Sequence, residues 1–136
     1  MCYFMHIVTN QTIQDSIIEN YMDMDIYIRD ITRSVENRYS EKYYYGITNQ
    51  CSCDLISSDS TKNQAAVMKE FFQGLHLNLP ITFCIILDNN KYNNLQSEIQ
   101  NIISSLPHVK IDFETFMDLY PDQLKIDEVY LIDSTY

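Results

Sequence analysis

Glycine occurs only twice in the 136 residues, proline three times, and tryptophan not at all. So few glycines leave no room for a Gly-rich phosphate loop, and no Walker loop, G-x-S-x-G elbow or H-E-x-x-H helix occurs. Scarce Gly and Pro also exclude long flexible linkers and low-complexity tails. The longest apolar run, Ile81 to Leu87, is far short of the ~20 residues a membrane span needs. The opening Met1-Cys2-Tyr3-Phe4-Met5-His6 has neither a basic region nor a cleavage site, so no signal peptide is read and a cytoplasmic, reducing location is expected. Basic residues are scarce as well: 9 Lys and Arg face 19 Asp and Glu, a net charge of −10.

That charge is unevenly placed. Residues 15–30 carry Asp15, Glu19, Asp23, Asp25 and Asp30 against Arg29, and residues 112–133 carry seven acids against Lys125. Between them acids and bases cancel. Nucleic-acid binding rests on Lys and Arg neutralising phosphates, so direct contact with nucleic acid is not expected, and an anionic membrane surface is repelled for the same reason. A basic protein would instead be attracted and steered. Solvated faces that keep the domain soluble would give the same pattern.

What is present suits a core. Apolar residues make up 46% and aromatics 12% of the chain, which argues against disorder. No repeat or composition break divides it, so residues 1–136 read as a single domain. Cys2 to Val8 reads as a strand. Thr12 followed by Asp15 resembles a capping box, opening a helix with Ile13, Ile17, Ile18 and Tyr21 on one face. Met24 to Val35 alternates like a strand early and repeats like a helix late, and a helix over its second half is favoured. Lys42 to Thr48 reads as a strand with Gly46 at a bulge. Ser60 caps a helix through Phe71 and Phe72 that Gly74 stops. Ile81 to Leu87 reads as a central strand covered on both faces. The Asp88-Asn89-Asn90 turn leads to a helix from Tyr92 to Leu106, then a strand at His108 to Ile111, a helix at Phe113 to Leu119 and a closing strand at Glu128 to Ile132. The class predicted is α/β or α+β, one compact domain with a mixed sheet of about four to six strands packed by about three or four helices.

Four cysteines occur: Cys2, Cys51, Cys53 and Cys84. Cys84 falls inside the apolar strand and reads as a small core residue. Cys51 and Cys53 point the same way if their segment is extended, and such a pair can offer two thiolates to a soft metal such as zinc. Cys2 and His6 share a face of the first strand and would complete a Cys₃His set, although the spacing matches no common zinc module. Redox chemistry and a purely structural role are the other readings of the same residues. A cysteine nucleophile needs a base in reach, and the sequence places none of His6, His76 or His108 beside a thiol. His76 and His108 follow a helix stop and a proline and read as surface residues.

Met1-Cys2-Tyr3-Phe4, together with Arg38 to Thr48 running into Cys51-Ser52-Cys53-Asp54, resembles a group of small uncharacterised bacterial proteins. Those begin Met-Cys-His-Phe and carry an internal His-Cys-Asp-Cys-Gly after a similar strand. The likeness spans about the first 56 residues. It implies that Cys2, Cys51 and Cys53 approach one another, and it brings no activity with it. The chain departs from the pattern at Tyr3, Gln50 and Asp54, where the group has His, His and Gly.

Eleven tyrosines without tryptophan form a further bias. Each hydroxyl needs a partner or water, so not all can be core, and rigid amphipathic rings beside acids make contact surfaces. An AT-rich genome would produce the same bias. Asp118, Tyr120 and Asp122, with Asp127, Glu128 and Tyr130, combine both features and are the expected partner-binding residues. The function expected is that of a non-catalytic acidic protein that neutralises a basic protein partner, such as a nuclease, as immunity proteins and phage inhibitors do. The alternatives are a zinc or thiol-redox protein using Cys2, His6, Cys51 and Cys53, and a structural subunit of a larger complex. Oligomeric state is not legible.

Overall fold

Along the first strand, residues facing both ways are apolar or small, which suits a strand buried on both sides. The computed structural model describes residues 2–49, 64–88 and 91–134, and there β1 (Cys2–Thr9) is such a strand. It is followed by α1 (Asp15–Met22), β2 (Tyr27–Asp30), β3 (Tyr43–Thr48), α2 (Gln64–Gly74), β4 (Ile81–Asp88), α3 (Leu95–Ser105), β5 (His108–Asp112), α4 (Phe113–Leu119) and β6 (Val129–Asp133). The six strands form one mixed sheet in the order β2-β3-β1-β4-β6-β5. All neighbours run antiparallel except β5 and β6, the two strands joined through α4. This is the single mixed sheet with helical cover that the residue pattern predicts.

The period of two in the strands separates two cores. Met5, Ile7, Tyr45, Ile47, Phe83, Ile85, Tyr130 and Ile132 face α1, α2 and α4, where Phe72 packs edge-on against Phe83, Phe116 and Tyr120 at 5.0–5.5 Å. Val8, Tyr44, Cys84, Ile86 and Val129 face α3, whose Leu95, Ile99, Ile102 and Ile103 repeat at helical spacing. The sheet is therefore covered by three helices on one side and one on the other.

Several expectations need correction. Residues 27–30 form an edge strand on β3, and Thr32–Ser34 make a single 3₁₀ turn, so no helix occupies the second half of the 24–35 segment. The carboxylate of Asp30 accepts the Thr32 N–H at 3.0 Å, a local bond that competes with helix formation. Helix α1 starts at Asp15, and its N-cap is Gln14 without a side-chain bond, so the Thr12 capping box does not form. Gly46 sits in an unbroken register between Met5↔Ile47 and Thr9↔Tyr43, so there is no bulge. Helix α2 does end at Gly74 as expected, but Gly74 keeps right-handed angles, so the stop is a change to a 3₁₀ turn at Leu75–Asn78 and not a left-handed cap. Tyr92 precedes α3, which is capped by Asn94 accepting from Ser97 N–H at 3.2 Å. The Ser60 cap, the Asn89-Asn90 turn, Cys51 and Cys53 lie outside the described residues.

Candidate functional site

The expected contact tyrosines are core residues. Tyr120 is 2% and Tyr130 4% exposed. Tyr120 packs against Phe72, and the Tyr130 hydroxyl accepts the Lys125 N–H at 2.7 Å. Their neighbours divide in role as well. Asp118 and Asp122 are exposed. Asp127 is half-buried, adopts φ 61°, and accepts the Leu87 N–H at 3.3 Å, so its carboxylate holds the turn before β6. Glu128 precedes β6, half-buried, with Oε2 enclosed and unpartnered. Of the six residues, Asp118 and Asp122 are exposed, whereas the other four serve the fold or sit partly inside it.

Buried hydroxyls explain much of the tyrosine bias. Tyr45 Oη accepts the Ile13 N–H at 2.9 Å, and Tyr44 Oη accepts the Tyr39 N–H at 3.2 Å while donating to Gln100 Oε1. Each hydroxyl reaches the edge of the core and satisfies a loop amide or a buried side chain that water would otherwise have to reach. Among the described tyrosines only Tyr39 is largely exposed, at 56%.

The helical layer of α1, α2 and α4 gathers the charge. Asp15 and Glu19 of α1, Glu70 of α2, and Glu114 and Asp118 of α4 are exposed acids, with Asp23 and Asp122 just beyond the helix ends. Lys69 is the lone base among the described residues of these helices. Two of the acids, Asp15 and Glu114, sit in first turns, where the helix dipole favours a negative charge. Glu19, Asp23 and Asp118 sit at C-terminal ends, where it opposes one, and neither helix has a base in its last turn. Within the described residues none of these three carboxylates has a side-chain partner.

Beside this acid lies a groove of about 790 Å³ between α1 and the end of α2, walled by Ile13, Ile17, Tyr21, Phe71, Leu75 and Leu77. Ile17 is 38% and Leu77 88% exposed, and polar Gln11, Thr12, Gln14 and Asn20 rim the same space. The sequence reading missed this groove. Its signal is Leu77, an apolar residue one turn past Gly74 and off the face used by Leu75.

The candidate metal residues are represented by His6. Its ring belongs to a row of cross-strand neighbours on the α3 side, Arg29–Gly46–His6–Cys84. Burial lowers the His6 imidazole to about 4 and, aided by the Asp127 charge, pushes the Cys84 thiol up to about 12. Both are neutral at pH 7, and a thiol so far above its neighbour does not pass it a proton. The ring lies beside Gly46: a methyl group there would meet Nε2 at 3.8 Å. Cys2 is four residues back along β1, about 13 Å between Cα atoms at strand rise. Among the described residues no group of three His, Cys, Asp or Glu is placed to hold a metal. Of the other histidines, His76 is exposed with its ring 5.1 Å from Phe113, and His108 is exposed with Nε2 2.7 Å from the Ile103 carbonyl. No helix among the described residues is long and apolar enough to cross a membrane. No family model, curated protein or solved structure matches the chain significantly.

Proposed function

We propose that the protein binds a basic protein partner, without catalysis, through the acidic layer of α1, α2 and α4. The observation that carries this reading is the placement of Glu19, Asp23 and Asp118 at helix C-termini, against the dipole and without a side-chain partner among the described residues. Each such charge costs about 0.3–1 kcal/mol of stability at low salt. Acids needed only for solubility have better positions available, and a partner supplying Lys or Arg relieves the unfavourable term on binding. The groove beside α1 adds apolar contact through exposed Ile17 and Leu77, in place of the buried rings of Tyr120 and Tyr130. A cationic groove that otherwise binds phosphate, as in a nuclease, is the complementary surface.

The test is affinity capture from the source organism's lysate with the wild-type protein and with a Glu19→Gln, Asp23→Asn, Asp118→Asn, Asp122→Asn variant. A basic protein retained by the wild type, released by salt and lost with the variant supports the reading. Equal retention by both proteins overturns it.

A further inference from the structure

A second cavity, about 210 Å³, lies on the opposite side of the sheet, between β1, the outer strands and the start of α3. His6, Arg29, Gly46, Thr48, Leu95 and Gln96 are among its walls, and among the described residues no Asp or Glu is. That is unusual company in a chain of net charge −10. Arg29 has no ion pair or hydrogen bond within the described residues.

Two further features belong to the walls of the same space. The His6 side chain is 97% buried, since 3% is exposed, and its Nδ1 is enclosed without a partner. A neutral imidazole carries one N–H and one lone pair, and an enclosed lone pair is less costly to leave unmet than an enclosed N–H. The proton therefore belongs on Nε2, the nitrogen beside Gly46, whose missing Cβ is part of the cavity wall. The start of α3 supplies more donors. Asn94 Oδ1 takes the Ser97 N–H and Glu98 Oε2 takes the Asn94 N–H, while the N–H groups of Leu95 and Gln96 have no acceptor within the described residues.

We propose that this cavity binds a small oxyanion, the carboxylate or phosphate group of a small metabolite, held by Arg29, the Leu95 and Gln96 amides and the Nε2–H of His6. Every polar group assigned to the ligand is a donor, and the helix start adds its positive end. The space equals about seven waters at ~30 Å³ each, enough for a small organic anion. This site does not depend on the partner proposed for the opposite face.

The experiment is an NMR titration of the full chain at pH 7 with inorganic phosphate and, separately, acetate, ionic strength being held constant with sodium chloride. Saturable shifts of the Gly46, Leu95 and Gln96 amides and the His6 ring are expected with at least one of the two. Saturation by phosphate alone assigns a phosphate ester, and by acetate alone a carboxylate. Arg29→Gln, on an exposed edge position, is expected to weaken binding at least tenfold while leaving the unfolding midpoint without anion unchanged. His6→Phe, which keeps a ring but removes the N–H, is expected to do the same to binding. Shifts that never saturate, or that survive Arg29→Gln unaltered, overturn the proposal.

Discussion

The hydroxyl of Tyr45 accepts the backbone N–H of Ile13 across 32 positions of sequence, at 2.9 Å and out of reach of solvent. This one bond ties the middle of β3 to the chain entering α1, where no side-chain cap is available. Tyr45→Phe keeps the ring and orphans the amide, so a loss of about 1–3 kcal/mol is expected by urea unfolding. A change below about 0.5 kcal/mol would mean that the amide finds another partner.

His6 sets an acid limit. Its native value is about 4 against 6.5 when unfolded, so the unfolded chain takes up the proton first. The contribution is intact above pH 6.5 and is lost as the pH falls towards 4, by on the order of 3 kcal/mol in total. His6→Phe should therefore flatten the stability profile in that window relative to the wild type. Parallel profiles for the two proteins would refute the assignment.

Charge removal on α1 is expected to separate stability from binding. Glu19→Gln and Asp23→Asn should each raise unfolding free energy by about 0.3–1 kcal/mol at low salt, an increment that shrinks as salt is added. A loss of stability in either variant would show that the carboxylate has a structural task, and would remove the observation on which the proposed function stands.

Leu75 and Leu77 make a matched pair two residues apart, 3% and 88% exposed. Leu75→Ala is expected to destabilise by about 2–5 kcal/mol, whereas Leu77→Ser should stay within about 0.5 kcal/mol of the wild type. Denaturant midpoints measured side by side check the contrast. A comparable loss at Leu77 would place that side chain in the core.

In a Cys2→Ser, Cys51→Ser, Cys53→Ser variant, which keeps only Cys84, iodoacetamide labelling of the folded protein is expected to track unfolding. The thiolate is the reactive form, and burial holds this thiol at about 12. Rapid labelling under native conditions would mean that the β4 face opens.

The strands and helices with strong periodicity were legible. Ile81 to Leu87 reads as a doubly covered strand and is one, and Phe113 to Leu119 is the helix its bounds predict. The 24–35 segment was not, because its strand exists through pairing with β3, a partner the local pattern does not reveal. The burial of Tyr120 and Tyr130 was not legible for a related reason. Whether a phenol faces water depends on a distant donor such as the Lys125 amide, and composition alone puts tyrosine and aspartate together without saying which is outside. The acidity of α1 and α4 was visible, but their meeting on one face of the sheet follows from strand order.

That strand order also governs how the molecule can be assembled during synthesis. β1 leaves the ribosome first, yet both of its neighbours, β3 and β4, come later, and β4 ends at Asp88. β5 has no place in the sheet until β6, at Val129–Asp133, has slotted between it and β4. A nascent chain stopped short of residue 129 would carry β4 as a bare, strongly apolar edge, Ile81 to Cys84, open to pairing with another chain. The last strand thus acts as a latch, and messages interrupted shortly before it should yield aggregates rather than shortened but soluble protein.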